Sequence, residues 1–272
     1  MTARETPGFQ KIFMELLPHY IGTAHKRIGT KIKNDGTPVT DLDRLTLATL
    51  REYIEVNFPG DFILGEEDNR SQDEVSTILS RQDEFQWTVD GLDGTGNYRA
   101  GNNSYGAMVA LRRGKSILYS AIFIPADEKL RGNGFYYADD LGARQRCGEC
   151  KEGHRISTVK PGELERMVVY LEGSSKKFWK TPALTRLGGE VTTRCSFSSS
   201  VATIIVANGL GSALVTVENK PWDNWPTWHL IRMAGGTVTD WQGNPLTPEN
   251  CGNMVAAANE RDHAKILELL NR

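Results

Sequence analysis

Between Phe85 and Tyr98 the chain reads FQWTVDGLDGTGNY, and this stretch limits the fold more than any other. Phe85 to Val89 form an apolar-rich run suited to a buried strand. Asp90 and Asp93 follow within four residues, flanked by Gly91, Gly94 and Gly96. The pattern predicts a core strand ending in an acid-rich turn, with carboxylates fixed on rigid backbone. Such oxygens suit a hard cation such as Mg2+, which takes carboxylates, carbonyls and water. The amides of Gly94 and Thr95 would then face a phosphate. An ordinary Asx-type turn uses the same residue types, so the metal reading needs partners elsewhere in the chain.

One partner is FILGEED, residues 62–68. Phe62-Ile63-Leu64 reads as a short buried strand that ends at Gly65 and presents Glu66 and Glu67. Clustered carboxylates repel one another unless a cation neutralises them. Glu66, Asp90 and Asp93 are therefore read together. Upstream, residues 9–21 form an amphipathic helix with Phe9, Ile12, Phe13, Leu16, Leu17 and Tyr20 on one face, extending to about Gly29. A loop follows at 34–38. Thr40 or Asp41 then caps a helix running to about Asn57, with Leu45, Ala48, Leu50 and Ile54 available for burial. Asp43 falls in its first turn, where the helix dipole favours a carboxylate. Residues 68–84 read as polar loop or short helix.

Residues 104–137 read as an antiparallel meander, and 139–160 as a polar, irregular loop. That loop carries Cys147, Cys150 and His154. One C-x-x-C with one His falls short of the four ligands of a closed zinc site, so the thiols are read as incidental. Strand-like runs at 167–172, 191–197 and 211–218 then alternate with helix-like runs at 174–188 and 198–209, the latter capped by Ser198 or Ser199. Such alternation predicts a layered α/β domain. Trp222-Asp223 opens a helix closing at Gly235-Gly236. Trp222, Trp225 and Trp228 near its start are packing residues by default; Trp225 or Trp228 stacking on an adenine is the alternative. A strand and turn at 237–246, a last buried strand at 253–259 and a terminal helix complete the chain.

Of the 272 residues, 39% are hydrophobic and 24% charged, and the net charge is −2. No global field attracts nucleic acid or an anionic membrane. No apolar run reaches the roughly 20 residues of a membrane span, and the first residues lack a signal-peptide core. Four cysteines do not make a disulfide framework in a chain this long. The expected compartment is cytoplasmic.

Taken jointly, these segments resemble the inositol monophosphatase family of magnesium-dependent, often lithium-sensitive phosphatases. Trp87 to Tyr98 resembles its W-x-x-D-P-x-D-G-T-x-N-F signature. Trp222-Asp223 with Ala234-Gly235-Gly236 resembles its second signature, and Gly65-Glu66-Glu67 its G-E-E. Pro38 to Asp43 resembles its V-T-x-x-D segment. The resemblance implies a layered αβαβα sandwich of the inositol monophosphatase and fructose-1,6-bisphosphatase type. It would be a single phosphatase unit over 1–272, with a metal-binding half at 1–145 and a half at 146–272 carrying Asp223. It implies two to three Mg2+ ions, held by Glu66, Asp90, the Leu92 carbonyl, Asp93 and Asp223. Thr95 and Asp43 would serve the attacking water, with Glu66 assisting through a further ion. Gly94, Thr95 and Asp93 would hold the phosphate. The implied reaction is hydrolysis of a small phosphorylated metabolite, an inositol phosphate or a related polyol or sugar phosphate. Alternatives within the superfamily are 3′-phosphoadenosine nucleotides, fructose 1,6-bisphosphate or histidinol phosphate. A weakly catalytic RNA- or protein-binding relative is the alternative of another class, resting on basic residues at 144–160. A homodimer is implied by analogy alone.

Departures from the family pattern concern the substrate more than the metal. Gly91 replaces the usual proline, which predicts a less rigid backbone between the two ligands. Trp225, Pro226 and Thr227 stand where the family has small residues, and Met233 where it has Glu. Counted back without gaps from Asp223, Thr216 occupies the position of a substrate-binding Glu, and Ser212 a position that is often Asp. Strand alternation puts Glu218 on the same face as Thr216.

Overall fold

The computed structural model describes residues 8–23, 29–33, 36–68, 70–127, 132–147, 153–158, 167–173, 178 and 180–272. Its first layer is a helical pair. α1 (Phe9–Thr23) buries Phe9, Phe13, Leu16 and Tyr20, the face its periodicity foretells. α2 (Asp41–Asn57) starts at Thr40 with a capping box: the Thr40 amide donates to the Asp43 carboxylate while the Thr40 hydroxyl accepts from the Asp43 amide. Its buried stripe is Leu42, Leu47, Leu50 and Ile54, whereas Leu45 and Ala48 face solvent. The stripe is therefore rotated from the one expected, because the face of α2 that packs on β4 carries Leu42 and Leu47 rather than Leu45 and Ala48.

Behind this pair lies a seven-stranded sheet, β3-β4-β5-β6-β7-β8-β9. Its strands are Phe62–Gly65, Phe85–Asp93, Gly106–Arg113, Ser116–Asp127, Gly132–Asp139, Gly142–Cys147 and His154–Arg155. β3 and β4 run parallel and every other neighbour pair is antiparallel. A separate pair, β1 (Lys31–Ile32) and β2 (Pro38–Val39), precedes α2. The expected loop at 139–160 instead contributes β8 and β9, since antiparallel pairing with β7 satisfies a polar segment's backbone at the sheet edge. Cys147 thus lies in a strand; Cys150 falls outside the described residues. The short helix offered as one reading of 68–84 is present as α3 (Gln72–Leu79), with Ser71 and Glu74 forming its capping box.

A central helical layer follows. α6 (Ser199–Ala207) and α7 (Pro221–Met233) pack on each other, on the large sheet and on a second sheet. That sheet has the order β11-β10-β12-β14-β13, with strands Thr192–Arg194, Val168–Gly173, Ala213–Val217, Met254–Ala257 and Thr237–Asp240. α5 (Pro182–Glu190) and α8 (Glu260–Asn271) cover its far face. Helices, sheet, helices, sheet and helices are five layers, as the sandwich expectation requires. Both faces of the large sheet are covered, so β5 is buried from Gly106 to Arg112 and reads as a continuous apolar run up to its arginines.

The central helices are buried nearly all round. Trp225 is fully buried and Trp228 nearly so. The Trp225 indole donates to the Pro248 carbonyl at 3.0 Å, and the Arg112 guanidinium lies over its ring. Neither buried ring has a face open for a base to stack on, so the adenine-stacking alternative for these two residues is overturned by interior packing.

A carboxylate cavity where two halves of the chain meet

β4 does not stop at Val89. It continues to Asp93, with a register shift against β5 between Asp90 and Asp93. A bulge of this kind re-aims side chains at a strand end, so the acids stand on a kinked strand rather than on a free turn. Gly91 sits inside the kink. Its carbonyl accepts from the buried Tyr20 hydroxyl at 2.5 Å, and a Cβ there would meet the Asp43 carbonyl oxygen at 2.6 Å. Glycine here allows α2 to approach the strand, and the Tyr20 hydroxyl anchors the carbonyl.

Three chain segments bring acids, and a fourth brings a threonine, to one cavity of about 450 Å3. Glu66 comes from the short 3-10 turn (Glu66–Asp68) that follows β3, and Asp90 and Asp93 from β4. Asp223 comes from the first turn of α7, where Pro221 supplies the helix start and the Lys220 amide donates to the Asp223 carboxylate at 3.3 Å. Thr95 opens α4 (Thr95–Ala100), with Gly94 before it at φ 83, a conformation that suits glycine. Carboxylate oxygens of Asp90, Asp93 and Asp223 lie within 4.8 Å of one another. Glu66, Leu92, Gly94 and Thr95 line the same space.

The electrostatics of this group are one-sided. Burial holds the Asp90 carboxyl well above the usual carboxylate range, and the charges of Glu66, Asp93 and Asp223 push it further. Asp223 is displaced the same way by burial, then by Asp93 and Glu66. Burial also raises Asp93, but hydrogen bonds oppose it. The Ser198 hydroxyl and Ser200 amide donate to it at 2.7 Å and the Ser199 amide at 3.1 Å. Asp93 thus sits on the N-terminus of α6, where the dipole favours an anion. Converging, desolvated hard oxygens that raise one another's proton affinity form a donor set that fits a divalent cation.

Two further groups complete the cavity. The Thr95 hydroxyl contacts the Asp43 carboxylate at 3.0 Å and the Leu92 carbonyl at 2.9 Å. The Asp43 carboxyl is raised by burial, against hydrogen bonds from Thr40 that lower it. The Lys33 ammonium donates to Glu66 and Glu67 at 2.7 Å each. Burial would lower that ammonium, yet the Glu66 charge and both hydrogen bonds outweigh it and raise it.

Sequence reasoning missed Lys33 and the 198–200 segment. Ser198 was legible as a helix cap, but its grip on Asp93, 105 positions away, was not. Thr216 is not at the cavity. It is fully buried, its hydroxyl taking up the Met254 amide at 3.1 Å and contacting the Gly252 carbonyl and Asn224 side chain. Glu218 leaves the strand with φ 48 and is exposed, so it does not share a face with Thr216. Glu218 lines a second, larger space of about 1000 Å3 that adjoins the first and shares Thr37, Glu66, Asp93, Phe197 and Asp223 with it. Among the described residues no histidine or cysteine joins a metal-competent cluster.

Residues 7–272 match the model of the inositol monophosphatase family. The histidinol-phosphatase of Mycobacterium tuberculosis is 29% identical over 265 residues, 94% of this chain and 93% of that protein. Among solved structures, an IMPase of Thermotoga maritima superposes with a TM-score of 0.77 at 21% identity, covering 96% of each chain. An IMPase/NADP phosphatase complexed with Mg2+ and phosphate gives 0.76 at 17% identity, covering 97% of this chain and 92% of that one.

Proposed function

Because the chain belongs to the inositol monophosphatase family, and is thereby a phosphoric monoester hydrolase, we propose that it hydrolyses a small phosphate monoester in the carboxylate cavity, with Mg2+ bound there. The observation that carries this reading is the convergence of Asp90, Asp93 and Asp223 within 4.8 Å, drawn from two halves of the sequence. Glu66, Asp90, the Leu92 carbonyl, Asp93 and Asp223 would hold the metal. When bound, Mg2+ supplies charge neutralisation for the phosphoryl group and lowers the pKa of water beside it.

The chain's own groups account for the rest. The Thr95 hydroxyl already donates toward Asp43 and Leu92, which leaves its oxygen lone pairs to accept from a water in the cavity. Asp43 orients that hydroxyl, and as the water's proton moves to the Thr95 oxygen the hydroxyl's own proton passes to the Asp43 carboxylate, which is neutralised. Thr40 fixes the second oxygen of Asp43. The amides of Gly94 and Thr95, which line the cavity, hold phosphate oxygens. Lys33 keeps Glu66 and Glu67 together at the entrance side of β3. Both halves supply indispensable groups, so the chain acts as one catalytic unit.

The relatives and neighbours differ in what their names say they act on, a histidinol phosphatase beside an IMPase/NADP phosphatase, so family membership leaves the ester open. Phosphate release with Mg2+, tested across a panel of polyol, sugar, nucleotide and amino-alcohol phosphates, is the direct test. Release from at least one ester, abolished by a chelator and restored by Mg2+, supports the reading. Release that survives chelation, or none from any ester, contradicts it.

A further inference from the structure

Phe197 occupies the junction of the two adjoining cavities, between Ser196 and the Ser198 that grips Asp93. It is 54% exposed and has φ 53. A bulky residue in the left-handed region is strained, and its exposure shows that core packing does not repay that strain. Its conformation is nonetheless fixed from both sides. The Asn97 amide, from α4 beside the phosphate end of the cavity, donates to the Ser196 carbonyl at 2.7 Å and the Phe197 carbonyl at 3.3 Å. From β10, the buried Glu172 carboxylate accepts from the Ser196 amide at 2.9 Å and the Ser196 hydroxyl at 2.5 Å. Strain held this firmly beside a reactive centre is a sign of a functional position.

We propose that Phe197 is the specificity-determining platform for the leaving group, and that the substrate is a phosphate monoester whose alcohol carries a planar aromatic or heteroaromatic ring. The inference rests on the carboxylate cavity being the phosphate site. With the phosphoryl group there, the alcohol extends into the larger space, past the Phe197 ring and toward the half-buried Trp222 on its wall. A flat ring gains a stacking partner at Phe197. A polyol offers Phe197 only C–H edges and takes its hydrogen bonds from polar groups elsewhere on the wall, such as Asn219, Lys220 and Asn250, so it gains less from that ring than a flat π-system does.

The test compares two ring-bearing esters, adenosine 3′-monophosphate and histidinol phosphate, with two ring-free ones, glycerol 2-phosphate and inositol 1-phosphate. For wild type, Phe197→Ala and Phe197→Tyr, both kcat/KM with Mg2+ and calorimetric affinity with Ca2+ in its place are measured. The proposal expects the wild type to prefer at least one ring-bearing ester. Phe197→Ala should lower the ring-bearing to ring-free ratio about tenfold, mainly through KM, and Phe197→Tyr should retain it. An unchanged ratio in Phe197→Ala, or a wild-type preference for the ring-free esters, overturns it. Absence of turnover on all four esters would count against the hydrolase reading, while the affinity ratios would still decide the role of Phe197.

Discussion

Replacing Thr95 by alanine tests proton handling while leaving in place every acid that would hold Mg2+, and it frees only the Leu92 carbonyl of that set. The hydroxyl makes two contacts, with Asp43 at 3.0 Å and the Leu92 carbonyl at 2.9 Å. Removing it leaves Asp43 held by the Thr40 amide at 2.7 Å and the Thr40 hydroxyl at 2.5 Å, and it touches none of the acids that would hold Mg2+. The stability loss should therefore stay near that of one ordinary hydrogen bond, about 1 kcal/mol. If the hydroxyl relays the water's proton, kcat should fall by about 10²–10⁴, the usual contribution of a positioned proton acceptor. Thr95→Ser should recover most of the rate. Asp43→Asn should lose a similar factor, and the double variant little more than either single one, because groups acting as a unit are not additive. The assay is steady-state phosphate release at saturating Mg2+, with urea unfolding run in parallel. A Thr95→Ala enzyme within threefold of wild type, or losses that simply multiply in the double variant, would refute the relay.

Asp93→Asn and Asp223→Asn should each abolish turnover while leaving the far-ultraviolet circular dichroism spectrum intact, since each removes one like charge from a repelling cluster; near-native rates at saturating Mg2+ would count against their role. Arg112→Met should destabilise by about 3–5 kcal/mol in urea unfolding, because a buried cation contacting Gln86, Leu79 and Glu249 leaves partners unsatisfied; a loss below 1 kcal/mol would argue that this network is structurally idle. Burial pushes Glu172 up to about 7, against about 4.3 in an unfolded chain. The unfolded state releases that proton first, so stability contributed by the protonated form is present at low pH and lost as pH rises from about 4 to above 7, by roughly 4 kcal/mol. Unfolding free energies of wild type and Glu172→Gln across that range should differ in slope accordingly, and parallel profiles would show that Glu172 does not titrate this way.

Much of this architecture was legible because it rests on local chemistry. The caps at Thr40 and Ser198, the apolar run before Asp90 and the Pro221–Asp223 helix start all announce themselves over a few residues. Glu66, Asp90 and Asp93 were also readable, since clustered carboxylates at strand ends need a neutralising partner, whereas Asp43 and Asp223 read as helix-start residues and joined them only through the family resemblance. What escaped was set by packing across the chain. The bulge that carries β4 through Asp93 depends on β5. The close approach to Gly91 depends on α2 and Tyr20. Thr216 was placed by ungapped counting from Asp223, yet the chain leaves β12 at Val217 and turns at Glu218, so the residue counted toward the cavity points into the interior. Phe197 carried no signal at all, because a left-handed phenylalanine is imposed by Asn97 and Glu172, residues 100 and 25 positions away.

Acids from β4 and α7, with Glu66 after β3, would hold Mg2+ jointly. Calorimetric titration of Mg2+ into the wild type and into Asp90→Asn, at a pH where the cluster must ionise to bind, measures that directly. Saturable binding in the wild type that is lost in Asp90→Asn is the predicted result. Equal affinity in the two proteins, or no binding in either, would contradict it.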